Sequence, residues 1–154
     1  MYNEFLLLIT TYYFLNFAEN ILHKLAHSRK YGNILYRWHK YHHIIEFPPN
    51  ELTKDIYPST HKYENIFIYF AIVWWIFMYQ YLEFYYFKIL LSESILYMIC
   101  IDRLHTYYHL NNSILERFKW FRKKKELHLL HHKKTYLNFN LYDFTSDKLL
   151  QTYR

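Results

Sequence analysis

Glycine is almost missing from this chain: Gly32 is the only one in 154 residues. Nucleotide and dinucleotide cradles need glycines at several fixed positions, where backbone amides approach a phosphate, so both are excluded. Cysteine is equally scarce. Cys100 stands alone, which rules out intrachain disulfides and any cysteine-built zinc cage. It lies in an apolar run and is read as an inert thiol. No internal repeat and no serine nucleophile motif is present. The first apolar run lacks a basic start and leads straight into histidines, so no cleavable signal peptide is expected. A chain of this length is expected to form one domain, 1–154, with no room for a separate reductase module.

What the chain has instead is histidine. Ten of its eleven histidines fall into four clusters: His23/His27, His39/His42/His43, His105/His109 and His128/His131/His132. Each cluster uses i, i+3 or i, i+4 spacing, which on a helix brings side chains to one face. At this histidine content roughly one His-x-x-x-His pair arises by accident, so a single pair means little. The His-x-x-His-His triplet is expected only about 0.05 times, yet it occurs twice, a coincidence on the order of one in a thousand. The pattern reads as a polynuclear metal site rather than a solvated histidine-rich face. His61 has no histidine partner at helical spacing and is read as a surface or interfacial residue.

Eighteen consecutive uncharged residues, Asn65 to Leu82, separate Glu64 from Glu83, long enough to cross a bilayer core. A second run, Phe84 to Ile101, is interrupted only by Lys88 and Glu93, and a third, Phe5 to Ala18, is uncharged until Glu19. The mean hydropathy of −0.25 would suit a soluble protein, but 19 tyrosines depress it, and tyrosine tolerates membrane interfaces. The local runs therefore predict an all-α integral membrane domain with spans near 5–22, 65–83 and 89–104. Segments 23–64 and 105–154 carry the histidines.

Lys and Arg outnumber Asp and Glu 19 to 13, and the pI of about 9.2 could suggest a nucleic-acid binder. The placement of the charges argues against nucleic acid. Only Lys88 falls in the connection between the last two spans; the other 18 cations lie at span ends or beside the histidines. By the positive-inside rule the histidine-bearing side faces the cytosol, opposite Tyr2-Asn3-Glu4. The run Arg122-Lys123-Lys124-Lys125 is read as a solvated segment near anionic headgroups. The last two spans form a hairpin, so all four clusters meet on one membrane face in a cytosolic helical cap.

Ten imidazoles shared by two ions give about five ligands each, leaving roughly one open position per six-coordinate metal. Imidazole suits iron, zinc, copper and nickel alike. Neutral ligands leave the ions' charge uncompensated and call for nearby carboxylates. Glu19, four residues before His23, and Asp102, three before His105, are the candidates to orient a ligand imidazole.

These residues resemble the fatty acid hydroxylase and sterol desaturase superfamily of integral membrane oxygenases, over about Glu19 to Arg154. The boxes are Glu-x-x-Leu-His-Lys-Leu-Ala-His at 19–27, His-Lys-Tyr-His-His at 39–43, Asp-Arg-Leu-His-Thr-Tyr-Tyr-His at 102–109 and His-Leu-Leu-His-His at 128–132. Asn138-Phe139-Asn140 and Asp147 to Arg154 are similar to the closing pattern Asn-Phe-Gly followed by Trp-Asp-x-Leu-Phe-Gly-Thr. Asn140 and Gln151 stand at its glycines and Ser146 at its tryptophan. The fatty acid 2-hydroxylase branch is the most similar, through Phe47-Pro48, Asn50, Leu52 and Pro58, although the first box is one residue shorter than that branch's.

The resemblance implies that His23, His27, His39, His42, His43, His105, His109, His128, His131 and His132 hold two metal ions. Iron is implied for activity, and zinc could replace it on isolation. It further implies a membrane of endoplasmic-reticulum type, a lipid or fatty acyl substrate, and a separate electron donor such as a b-type cytochrome with its reductase. The outcome would be hydroxylation or desaturation of a C–H bond. Trp74, Trp75, Tyr79, Tyr107 and Tyr108 are read first as helix packing or interfacial anchors and second as lining for an acyl path. Two rivals are weighed: a histidine-rich membrane protein that binds metal without redox chemistry, and a non-catalytic structural descendant of the enzyme family.

Overall fold

The computed structural model describes residues 2–30, 33–58 and 66–154; His61 and the expected beginning of the second span at Asn65 lie outside them. The regular elements among the described residues are all helical. In order come α1 (Tyr2–Ala26), α2 (Asn33–Tyr41) continued by a π-helical turn (His42–Glu46), α3 (Ile66–Tyr81), α4 (Phe84–Tyr108), a 3-10 turn (Ile114–Arg117), α5 (Lys119–Lys133) and α6 (Thr145–Leu149). The scarcity of glycine and proline lets α1 and α4 run 25 residues each without a break.

Both long helices are long and apolar enough to cross a membrane, over Asn3–Ala26 and Phe84–Tyr108. The sequence's longest uncharged run folds as the shorter helix, α3, with an apolar stretch of Ile68–Tyr81. The α3–α4 hairpin is tighter than expected: only Leu82 and Glu83 separate the helices, and Lys88 lies inside α4 with its ammonium 5.1 Å from the Phe84 ring. Large apolar side chains stay exposed along all three helices, among them Phe5, Leu6, Val73, Ile76, Phe84 and Leu96.

Helices α1 and α4 run parallel, and their C-terminal ends carry His23 and His105. Between them and the rest lies a core of Leu15, Tyr97, Ile101, Leu104, Tyr108, Phe121 and Leu141. Helices α2, α5 and α6 gather around these C-terminal ends, while α3 packs beside α1 through Trp74 and Phe14. A Ser113/Glu116 capping box starts the 3-10 turn, and Lys125 Nζ holds Glu116 at 2.7 Å.

A polar stripe on α1 fastens the closing segment. Asn16, Glu19, Asn20 and His23 recur at i, i+3, i+4 and i+7, so they share one face, and all four are buried. Asn16 Nδ2 donates to the Asp143 carbonyl at 2.6 Å, and Asn20 Nδ2 donates to Asn140 Oδ1 at 2.7 Å and to Asp147 Oδ1 at 3.0 Å. Asp147, fully buried, also accepts from the backbone amides of Phe139 and Asn140, both at 2.8 Å, and from Thr152 Oγ1 at 2.6 Å. Gln151, at a glycine of the resembled pattern, takes the left-handed conformation that glycine favours (φ 59°). Asp147→Ala would leave two buried amides without acceptors at about 1–3 kcal/mol each. A loss of about 2–6 kcal/mol is expected, measured by thermal or denaturant unfolding; a variant as stable as the parent would show that Asp147 does not hold this segment.

Candidate metal centre

All ten clustered histidines converge, and they divide into two quintets that could hold metal ions. His23, His27, His39, His43 and His131 form the first; His42, His105, His109, His128 and His132 form the second. Within each, one ligand atom per residue lies within 4.8 Å of all the others.

The division follows from helix geometry. In each triplet the outer histidines, i and i+4, point the same way, while the middle one at i+3 is turned aside. His39 and His43 therefore join the α1 pair, and His42 crosses to the other quintet. Reciprocally, His128 and His132 join the α4 pair while His131 crosses back. The π turn lies where this fork occurs: the Phe47 amide donates to the His42 carbonyl at 2.9 Å, and such wide turns are concentrated at functional sites.

Ring contacts describe the same shape twice. In the first quintet His27 lies 4.4 Å from His39, 4.8 Å from His43, 4.8 Å from His131 and 5.4 Å from His23, between ring centroids. Across the base, His39 and His131 are 6.3 Å apart, and His23 and His43 make no ring contact. In the second, His109 lies 5.0 Å from His42, 5.1 Å from His105, 4.8 Å from His128 and 4.5 Å from His132. His42 with His128, and His105 with His132, make no ring contact. Each set is a square pyramid with His27 or His109 at the apex, and exchanging the halves of the chain maps one onto the other. His43 and His132, which correspond under that exchange, stack on each other at 3.9 Å.

The nitrogens fit a cation. Nδ1 of His23 faces the Phe139 carbonyl, that of His131 the Leu137 carbonyl at 2.6 Å, that of His109 the Leu52 carbonyl at 2.7 Å and that of His132 the Phe47 carbonyl at 3.3 Å. A carbonyl only accepts, so these four rings carry their proton on Nδ1 and present a bare Nε2 inward. The buried Nε2 of His132 has no hydrogen-bond partner at all. His39 Nε2 lies 2.9 Å from each of the Nε2 atoms of His23, His27 and His43, and one ring proton cannot serve three neighbours. His27 meets His131 at 3.0 Å, His105 meets His42 at 3.1 Å and His128 meets His109 at 2.9 Å. Metal–nitrogen bonds of about 2.0–2.1 Å put adjacent octahedral ligands about 2.8–3.0 Å apart, whereas a tetrahedron would need about 3.3–3.4 Å. The spacing matches the octahedral edge.

Electrostatics agree. Burial first, then the neighbouring imidazoles, hold His39, His42, His43, His109, His128, His131 and His132 well below the ordinary histidine range, and His27 down to about 3. Neutral imidazole is the ligand form.

The carboxylates differ from expectation. Glu19 does not orient His23; it accepts from Tyr97 Oη at 2.6 Å, the Leu141 amide at 2.6 Å and Asn140 Nδ2 at 3.2 Å. It thereby holds the segment whose Phe139 carbonyl orients His23. Asp102 is exposed beside Arg103, Nε to Oδ2 4.0 Å, because its helical position turns it away from the cage. Among the described residues a carboxylate that does reach a ring is Glu46, at 3.2 Å from His42 Nδ1. It escaped the sequence reading, although it stands four residues after His42. Phe47 is also part of the site: fully buried, it stacks on His109 at 3.8 Å.

Several aromatics go to packing. Trp74 stacks on Phe14 at 4.2 Å, Tyr79 meets Phe87 at 5.1 Å, and Tyr108 packs on Phe121 at 5.3 Å while donating to the Leu141 carbonyl at 2.8 Å. No family model, no curated protein and no solved structure matches the chain.

Proposed function

We propose that this chain is a membrane-bound di-iron oxygenase of the fatty acid hydroxylase and sterol desaturase type, acting on a lipid, most simply a fatty acyl chain. The observation that carries the reading is the pair of five-histidine clusters. Each would supply five nitrogens to one ion, enough to leave one position of a six-coordinate ion for an exogenous ligand. An all-imidazole storage site has no need of a paired arrangement with one position spared in each half.

Two iron ions, when bound, would supply the two-electron activation of dioxygen. The balance for hydroxylation is R–H + O2 + 2e− + 2H+ → R–OH + H2O, with electrons from a separate donor such as a b-type cytochrome. The chain's own part is coordination, orientation and exclusion of water. Backbone carbonyls of Phe47, Leu52, Leu137 and Phe139 fix ring tautomers, and Glu46 sets a carboxyl oxygen beside His42 Nδ1.

In this reading α1, α3 and α4 are three spans, the remaining helices are a cytosolic cap, and the membrane is that of the endoplasmic reticulum. The cation distribution and the exposed apolar flanks support it.

The test is anaerobic iron loading of the purified protein, followed by oxygen uptake with a reductant and lipid, and mass spectrometry of lipids from cells with and without the gene. Oxygen-dependent appearance of a hydroxylated or desaturated lipid is expected. Tight zinc with no oxygen consumption and an unaltered lipid profile would overturn the proposal.

A further inference from the structure

We propose that the segment Ile114–Lys125 is an interfacial anchor that binds anionic phospholipid headgroups of the bilayer holding α1 and α4; this rests on the membrane reading above. The segment carries six cations and one anion, Glu116, which Lys125 holds at 2.7 Å; Arg117, Lys119, Arg122 and Lys123 are exposed. Among them stand apolar side chains that the fold leaves open: Ile114 is 68 % exposed, Phe118 38 % and Trp120 50 %. Exposed tryptophan beside cations is the composition of a membrane–water interface.

Depth is set by the contacts beneath. Lys124 Nζ donates to the Tyr142 carbonyl and lies 4.8 Å from the Tyr142 ring and 5.7 Å from the Trp120 ring. Tyr142 packs on Tyr12 of α1 at 6.3 Å and on Tyr97 of α4 at 5.8 Å, and Tyr12 Oη donates to Asp143 at 2.9 Å. This polar flank therefore stands level with Tyr12 and Tyr97. A flank carrying Asp143 and Lys124 does not enter hydrocarbon, so it meets the bilayer at headgroup level, where Trp120 and the exposed cations of the same turn lie. Continuity with the embedded helices and positive charge both select acidic lipid.

The experiment reconstitutes the full-length protein in phosphatidylcholine vesicles with and without phosphatidylserine. Energy transfer to a headgroup-labelled phosphatidylserine is read as the difference between the parent and Trp120→Phe. Transfer from Trp120 to the acidic lipid should exceed transfer to a labelled neutral lipid. The preference should fall about fivefold per cation removed in Lys119→Gln, Arg122→Gln and Lys123→Gln, and fade in high salt. Equal transfer to acidic and neutral lipid in a protein that resists carbonate extraction would overturn the anchor alone. Release by carbonate would overturn the membrane reading with it. Protection of Trp120 by an acidic soluble protein in vesicles lacking phosphatidylserine would assign the surface to a protein instead.

Discussion

His42→Ala is expected to lower bound metal by about one ion per chain and lipid product by at least about 100-fold. The residue lies on α2's continuation, yet its ring completes the base of the quintet built on α4, 3.1 Å from His105 Nε2. His131→Ala should strip the opposite quintet, so the two variants deplete different ions by the same amount. Metal analysis by mass spectrometry together with product formation in cells checks both. Metal loss with an unchanged lipid profile would favour a non-catalytic descendant, and full metal retention in both variants would sink the assignment of the rings as ligands.

Acid should unfold the metal-stripped protein at unusually mild pH. Six of the rings, His42, His43, His109, His128, His131 and His132, are buried and held neutral well below their ordinary range. The unfolded chain therefore takes up more protons than the folded one between the free-histidine value and the depressed ones. Stability is fully present above about pH 6.5 and is lost as the pH falls. Each ring that must gain a proton adds to the loss, and six of them act in the same direction. Near-ultraviolet circular dichroism, which follows packing around the aromatic rings, should show a cooperative loss as the pH falls below about 6.5. Bound metal competes with protons and should move the transition to lower pH. A stripped protein that keeps its signal to about pH 4 would contradict the burial of these rings.

Much of the site was legible because histidine spacing is itself geometry: i, i+4 pairs must share a helix face, and ten rings in four clusters could be assigned to one centre before any fold was known. Which ring joins which quintet was not legible, since it depends on how two triplet-bearing helices face each other across the centre. The carboxylates show the limit of local spacing. Glu19 and Asp102 stand at helical distance from a histidine, but tertiary contacts drew Glu19 to the 140–141 segment, and Asp102 falls on the outer face of α4. Asn16, Asn20 and Glu19 formed a polar stripe on an apolar helix, a signal present in the sequence but overshadowed by the histidines beside it. In the fold, hydropathy located the three apolar helices but not how far α1 and α4 run. Uncharged runs measure composition, whereas the histidine-bearing ends of α1 and α4 simply continue their helices past the apolar segment.

The exchange of His42 and His131 between halves also governs how the centre can be assembled. A chain folded only through the π turn at His42–Glu46 offers the first ion four rings and the second just one. Neither centre closes until the C-terminal helices arrive, and their arrival closes both. Filling one quintet fixes a helix from each half and thereby orders rings of the other, so the second ion should bind more tightly than the first, a reciprocal coupling with no effector beyond the metal itself.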